Sequence, residues 1–265
     1  MTTSEHREPL PGATPIAPED SVPASPEFPA HRWGFGAFLL VEAVLLASAA
    51  FVSVLVGEPA PGQPLPIRSV LLGTILPTMI AAGVALLATV VRGNGPVLDL
   101  RLHWRWPDVK VGLKFGALGL VVASLGAYVW TRLVGSADAT SAISALVDDR
   151  KMSVSAAVVM FAYLWLVGPI CEEIIYRGLL WGAVERLNWR GERWGRFAAF
   201  LLSTAVFAAS HLEPLRTTLL LVIAIPIGLA RLATGRLAGS VVAHSVNNFL
   251  PAVAILLGAL GVTSI

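Results

Sequence analysis

From Trp33 onward, long apolar runs alternate with short polar breaks, and that alternation organises the chain. Runs from Trp33 to Gly57, Ser69 to Val91, Val111 to Val134, Ala156 to Leu187, Phe197 to Leu212, Leu215 to Ala233 and Leu237 to Gly261 each read as a helical span. About 20 apolar residues in a helix cross a hydrocarbon core about 30 Å thick. The run from Phe197 to Leu212 is short, and Pro214 closes it. Pro251 can kink or split the last run. The expected fold is therefore an all-α membrane protein, a polytopic bundle of seven transmembrane helices, or eight if the split occurs. The stretch from Gly57 to Gly62 is a turn-rich loop, and Ser136 to Ser153 is a polar one. Leu98 to Lys110 mixes Arg101, His103 and Arg105 with Trp104 and Trp106, as a segment lying at the membrane interface does. Residues 1–32, rich in Pro, Glu, Ser and Ala, read as a disordered tail. The run that follows is too long for the apolar region of a signal peptide. No internal repeat or second domain is visible, so residues 33–265 read as one transmembrane domain.

Composition agrees with this pattern. Of 265 residues, 55% are hydrophobic and only 14% are charged, with mean hydropathy +0.73; soluble domains carry about 25% charged residues. The single cysteine, Cys171, excludes an intramolecular disulfide and a multi-cysteine metal site. The net charge of +2 says less than its distribution. With seven spans, one side holds Arg32, Arg92, Arg101, Arg105, Lys110, Arg186, Arg190, Arg193, Arg196, Arg231 and Arg236, and the other holds Arg68, Arg132, Arg150, Lys151 and Arg216. This bias predicts a cytoplasmic N-terminus and a C-terminus on the opposite face. The partner expected from this composition is the lipid bilayer, with no nucleic acid.

Ionisable residues inside an apolar run are costly and mark functional sites by default. Well inside the fourth run, away from its ends, lie Glu172, Glu173 and Arg177. Glu173 and Arg177 are four apart and can pair on one helix. Glu172 points about 100° away and has no partner within its own helix, so its partner must come from elsewhere in the chain. Two further polar sets stand out, Ser210-His211 near the end of the fifth run and His244-Ser245-Val246-Asn247-Asn248 in the seventh. His244 and Asn248 share a helix face. Taken singly, a lone His is often a packing or capping residue, and an Asn often bonds a neighbouring helix. Depth argues for a shared site. Glu172 lies roughly 21 Å along its helix from Arg186, His211 roughly 22 Å from Arg196, and Asn248 and His244 roughly 18 and 12 Å from Arg236, at 1.5 Å per residue.

Glu172-Glu173-x-x-x-Arg177, Phe207-x-x-x-His211 and His244-x-x-x-Asn248, in that order, resemble the CPBP family of intramembrane proteases, also called the Abi or CAAX-protease family. Arg177-Gly178 and Thr234-Gly235 are similar to it as well, and the resemblance covers about Ser153 to Leu250 (153–250). Tyr176 stands where the family usually has Phe. The resemblance implies a helical bundle with a cavity opening toward the cytoplasm, and an endopeptidase that hydrolyses peptide bonds of a peptide or membrane-protein substrate. On that reading Glu172 is the general base and His211 helps hold the attacking water. His244 and Asn248 supply oxyanion donors, and Glu173 with Arg177 supports Glu172. A divalent metal such as zinc, held by Glu172, His211 and His244, is the alternative to a glutamate-activated water. No His-Glu-x-x-His motif is present. Rival chemistries fit less well. Cys171 neighbours two acids, which work against a thiolate. Gly239-Ser240 does not extend to a rhomboid-like Gly-x-Ser-Gly, and no inverted repeat suggests a transporter. A non-catalytic scaffold or bacteriocin-immunity role remains the main alternative, because the family includes such members. Eukaryotic relatives cleave prenylated C-terminal peptides. The short loops and Ala, Arg and Gly content suggest a bacterial plasma membrane, where such substrates are not expected.

Overall fold

The structure is a computed structural model, and it describes residues 32–57, 59, 63–135, 141–147 and 150–262. The expected tail, apart from Arg32, lies outside the described residues. Helices α1 (Phe35–Val56), α2 (Ile67–Arg92), α3 (Pro96–Asp99), α4 (Trp106–Val134) and α5 (Ala142–Val147) come first. They are followed by α6 (Val154–Glu185), α7 (Glu192–Ser210), α8 (Thr217–Thr234) and α9 (Leu237–Ala259). No strand occurs among the described residues.

Six of these, α1, α2, α4, α6, α8 and α9, are long and apolar enough to cross a membrane. The seventh expected span behaves differently. Its helix, α7, begins at Glu192 rather than Phe197, and its 19 residues include Arg193 and Arg196 in the first turns. Those charges dilute its apolar length, although 19 residues still reach roughly 28 Å. The eighth span is absent: α9 runs through Pro251 without a break. The interfacial segment is there, with α3 short and Trp104 and Trp106 exposed beside it.

The middle of α6 forms the core. Ile174, Ile175, Tyr176, Leu179, Leu180 and Trp181 are all buried, against Phe38 and Val41 of α1, Ala81 and Ala85 of α2, and Phe200 and Phe207 of α7. A helix that is apolar all round must be enclosed by others. By contrast α1 is buried over only 11% of its most apolar window, so most of its surface faces lipid. The helix carrying His244 is held differently. Gly112, Gly116 and Gly119 of α4 form a seam against α9. A Cβ placed on Gly112 would come within 2.6 Å of the Gly239 carbonyl oxygen, and one on Gly116 within 2.6 Å of Val246 Cβ. Small residues at such spacing let two membrane helices approach backbone to backbone.

The long helices alternate in direction, and contacts at each end show the grouping. At one end Arg101 pairs with Glu185 at 3.0 Å, Arg236 pairs with Asp108 at 2.7 Å, and the Leu237 amide donates to the Arg101 carbonyl at 3.2 Å. The hydrogen bonds to Asp108 hold the Arg236 guanidinium above its ordinary pKa. At the other end Arg150 donates to the Leu65 carbonyl, the Met152 amide to the Ala259 carbonyl at 2.9 Å, and the Ala142 amide to Glu213 at 2.9 Å. The first end is the one richer in arginine.

Candidate active site

The helix that carries the two glutamates is irregular where it matters. Within α6, Tyr163–Val167 and Ile174–Leu180 are π-helical turns. Pro169 accounts for the first. Its ring clashes with the carbonyl four residues back and it has no N–H to donate, so the turn widens and Gly168 N–H bonds the Tyr163 carbonyl instead. In that register the Leu164 carbonyl faces Pro169 and loses its backbone donor. Asn248 Nδ2 of α9 supplies the missing bond at 3.2 Å. At the second widened turn, Arg231 Nε of α8 donates to the Arg177 carbonyl at 3.0 Å. Such bulges are frequent at functional sites.

Between the two widened turns sits the charged cluster. Arg177 Nη1 meets Glu173 Oε1 at 3.0 Å, and both side chains are 0% exposed. His244 Nδ1 lies 3.0 Å from the same oxygen. An oxygen already paired with a guanidinium is an acceptor, so Nδ1–H donates to it. His244 Nε2 then faces Glu172 Oε2 at 3.6 Å, longer than a hydrogen bond. His244 thus bridges the two neighbouring carboxylates and is the partner for Glu172 from another helix. Phe207 packs under the cluster: its ring lies 4.3 Å from Arg177 Cζ, with ring centroids 4.8 Å from His211 and 5.5 Å from His244. His211, one residue past the end of α7, donates from Nδ1 to the Phe207 carbonyl at 2.8 Å. That bond leaves its Nε2 as the free ring nitrogen.

A cavity of about 460 Å³ meets this cluster, and Glu172, His211, His244 and Asn248 all line it. Glu172 is the glutamate that reaches the cavity, with a side chain 24% exposed, while Glu173 is sealed behind it. Apolar walls come from Leu164, Leu220, Ile223, Ile227 and Ile255. The cavity extends to Ser141 and Ser144 beside α5 and to Glu213 and Arg216 at the turn from α7 to α8. This is the end opposite the arginine-rich one. A cavity opening toward the cytoplasm and an arginine-rich cytoplasmic end therefore cannot both hold in this fold. The reason is geometric: His211 ends a helix that starts at the basic loop, so it lies across the bundle from that loop.

Residues 154–250 match the family model of the type II CAAX prenyl endopeptidase Rce1-like proteins. Over that segment the chain is similar to the CPBP family. No curated protein and no solved structure matches the chain.

The matched segment contains every residue of the charged cluster, but some of the surroundings were not evident from sequence. Asn247 is buried, lines the cavity and has Oδ1 without a hydrogen-bond partner among the described residues. Glu42 of α1 stands beside Tyr176, the position where the family usually has Phe, and Ser210 stands on the other side of that hydroxyl. A lone carboxylate in the first apolar run was the available signal for Glu42. The proposed metal ligands fit poorly as they stand. Glu172, His211 and His244 share the cavity, yet no three His, Cys, Asp or Glu side chains among the described residues gather closely enough to hold a metal ion. No step below passes through one.

Proposed function

We propose that this chain is an intramembrane endopeptidase in which Glu172 activates a water for attack on a peptide bond. The observation that carries the reading is the convergence of Glu172, His211, His244 and Asn248, from three helices, on one cavity. Glu172 takes a proton from the water as hydroxide adds to the carbonyl carbon. His211 Nε2 is the second group holding that water. Asn248 uses one amide proton on the Leu164 carbonyl and keeps its second for the developing oxyanion. His244 serves as the other donor in its imidazolium form, because Nδ1 is already committed to Glu173. Glu172 then returns its proton to the leaving nitrogen as the C–N bond breaks, giving a carboxylate and an amine. The apolar cavity wall suits apolar side chains of a membrane-associated peptide.

The orientation we propose follows the arginine bias: the basic end and the N-terminus are cytoplasmic in a bacterial plasma membrane. The cavity then receives substrate from the opposite face. The test of catalysis is hydrolysis of a peptide library by purified protein, read by mass spectrometry with and without chelator. Glu172→Gln, which keeps shape and loses basicity, is expected to lower turnover about 10²–10⁴-fold with the melting temperature unchanged. Full cleavage by Glu172→Gln would remove the glutamate from the chemistry. Full complementation of a cellular phenotype by that variant would favour the interaction-protein reading.

A further inference from the structure

A second pocket, of about 270 Å³, opens at the arginine-rich end and shares no lining residue with the cavity described above. Arg101, Arg186, Arg196 and Arg231 line it, drawn from the α3–α4 connection, the end of α6, α7 and α8. Three acids, Asp99, Glu185 and Glu192, line it too, and two of them are already engaged. Asp99 Oδ2 accepts from Trp33 Nε1 at 2.6 Å and from the Asn94 amide at 3.1 Å. Glu185 Oε2 pairs with Arg101 at 3.0 Å.

The other three guanidiniums form no ion pair among the described residues and bond only to backbone carbonyls. Arg186 Nη2 reaches the Asp99 carbonyl at 3.5 Å, Arg196 Nη2 the Leu232 carbonyl at 2.5 Å, and Arg231 Nε the Arg177 carbonyl at 3.0 Å. Arg231 is 2% exposed, and its Nη1 is buried with no partner among the described residues. A buried charged donor without an acceptor is costly. The Trp33 ring stacks on the Arg186 guanidinium, with Cζ 3.6 Å from the ring centroid, and Trp is enriched at membrane interfaces. Desolvation also lowers the pKa of Arg186 to about 10, against the opposite pull of Asp99 and Glu185.

We propose that this pocket binds a phosphate-bearing anion through Arg186, Arg196 and Arg231. The guanidinium fork matches phosphate oxygens in pairs, and basic pockets between membrane helices hold anionic headgroups. The phosphate comes from an anionic lipid or from free solution, and the experiment separates the two. The proposal does not rest on the peptidase reading, since no residue lining this pocket lines the cavity.

The full chain is purified in detergent. Its thermal stability is measured with added phosphatidylglycerol or cardiolipin, with phosphatidylcholine of the same chain length, and with inorganic phosphate alone. Lipid retained by the protein is read by native mass spectrometry. A rise in melting temperature with anionic lipid, absent with phosphatidylcholine and phosphate, supports a headgroup site. A rise with inorganic phosphate supports a solution anion. The double variant Arg186→Gln/Arg196→Gln lies at the pocket rim, and it is expected to weaken binding at least about tenfold, the loss of one or more charge-assisted hydrogen bonds. The melting temperature and size-exclusion profile of the double variant without added anion serve as the check for folding. No shift with any anion, an equal shift with phosphatidylcholine, or undiminished binding by the folded double variant each overturns the proposal.

Discussion

Removing Arg177 tests the geometry at its most buried point. Arg177→Ala leaves the Glu173 carboxylate, 0% exposed, without the guanidinium at 3.0 Å and dependent on neutral or weakly charged neighbours such as His244 at 3.0 Å. Breaking a buried pair from one side costs about 3–5 kcal/mol. The guanidinium also lies 4.3 Å from the Phe207 ring centroid, a contact contributing about 0.5–2 kcal/mol. Arg177 Nε and Nη2 are themselves buried without partners among the described residues, so deleting them recovers part of the loss. The net expectation is the lower end, about 3 kcal/mol. For a chain of this size that is a fall in melting temperature of about 6–12 °C. The assay is heating in detergent followed by size-exclusion chromatography of what remains folded. The control is Glu173→Gln/Arg177→Met. Replacing both charges by neutral groups of similar volume is often nearly neutral, so the double variant is expected to melt above Arg177→Ala. A wild-type melting temperature for Arg177→Ala, or a double variant as unstable as the sum of its singles, would refute the reasoning.

Asn248→Ala is expected to lower kcat about 10²–10³-fold through the lost oxyanion donor, and to destabilise the fold by about 1 kcal/mol through the freed Leu164 carbonyl; kinetics and melting on the same preparation check both. Gly116→Leu forces a side chain into Val246 and is expected to cost at least about 1–3 kcal/mol, whereas Gly83→Ala meets nothing within 4 Å and leaves the yield of folded protein unchanged. With Cys171→Ser as background, a membrane-impermeant maleimide is expected to label Ala145→Cys, beside the cavity mouth, in intact cells. Arg190→Cys, in the basic loop, reacts only after permeabilisation. The reverse pattern would place the cavity on the cytoplasmic side.

Hydropathy made most of the bundle legible, because a membrane span must be both apolar and helical and both properties are written locally. A spacing of four put Glu173 against Arg177, and the structure pairs them at 3.0 Å. The period of the helix also said that Glu172 must look elsewhere. It did not say where, since periodicity fixes a face and not which helix meets that face. Hence the bridge made by His244, Nδ1 to one glutamate and Nε2 toward the other, is a tertiary fact. The extent of α7 was misread for a related reason: its first turns are polar, and helix packing rather than hydropathy decides that Glu192 to Arg196 are helical. The α4 seam was hidden because glycine in a membrane helix has no hydrophobic signature, only a spacing. The direction of the cavity needed the full topology, which no single motif contains.

The widened turns explain how a helix can present ionisable groups inside a membrane and keep them in register. A regular helix satisfies every backbone carbonyl internally and offers neighbouring helices only side chains to hold. In α6 the Leu164 carbonyl opposite Pro169 lacks its donor, and Asn248 Nδ2 of α9 takes it at 3.2 Å. Arg231 of α8 takes the Arg177 carbonyl on the other side, at 3.0 Å. Glu172 and Glu173 lie between these two ties. A carbonyl stranded in a low-dielectric interior costs free energy until a partner reaches it, so each tie fixes its neighbouring helix in rotation and height as well as in distance. His244 sits four residues before Asn248 on α9, and its bond to Glu173 therefore shares one register with the bond to Leu164. A slip of α9 by one residue breaks both together. The backbone irregularity of α6 is thus part of what aligns the side chains at the cavity.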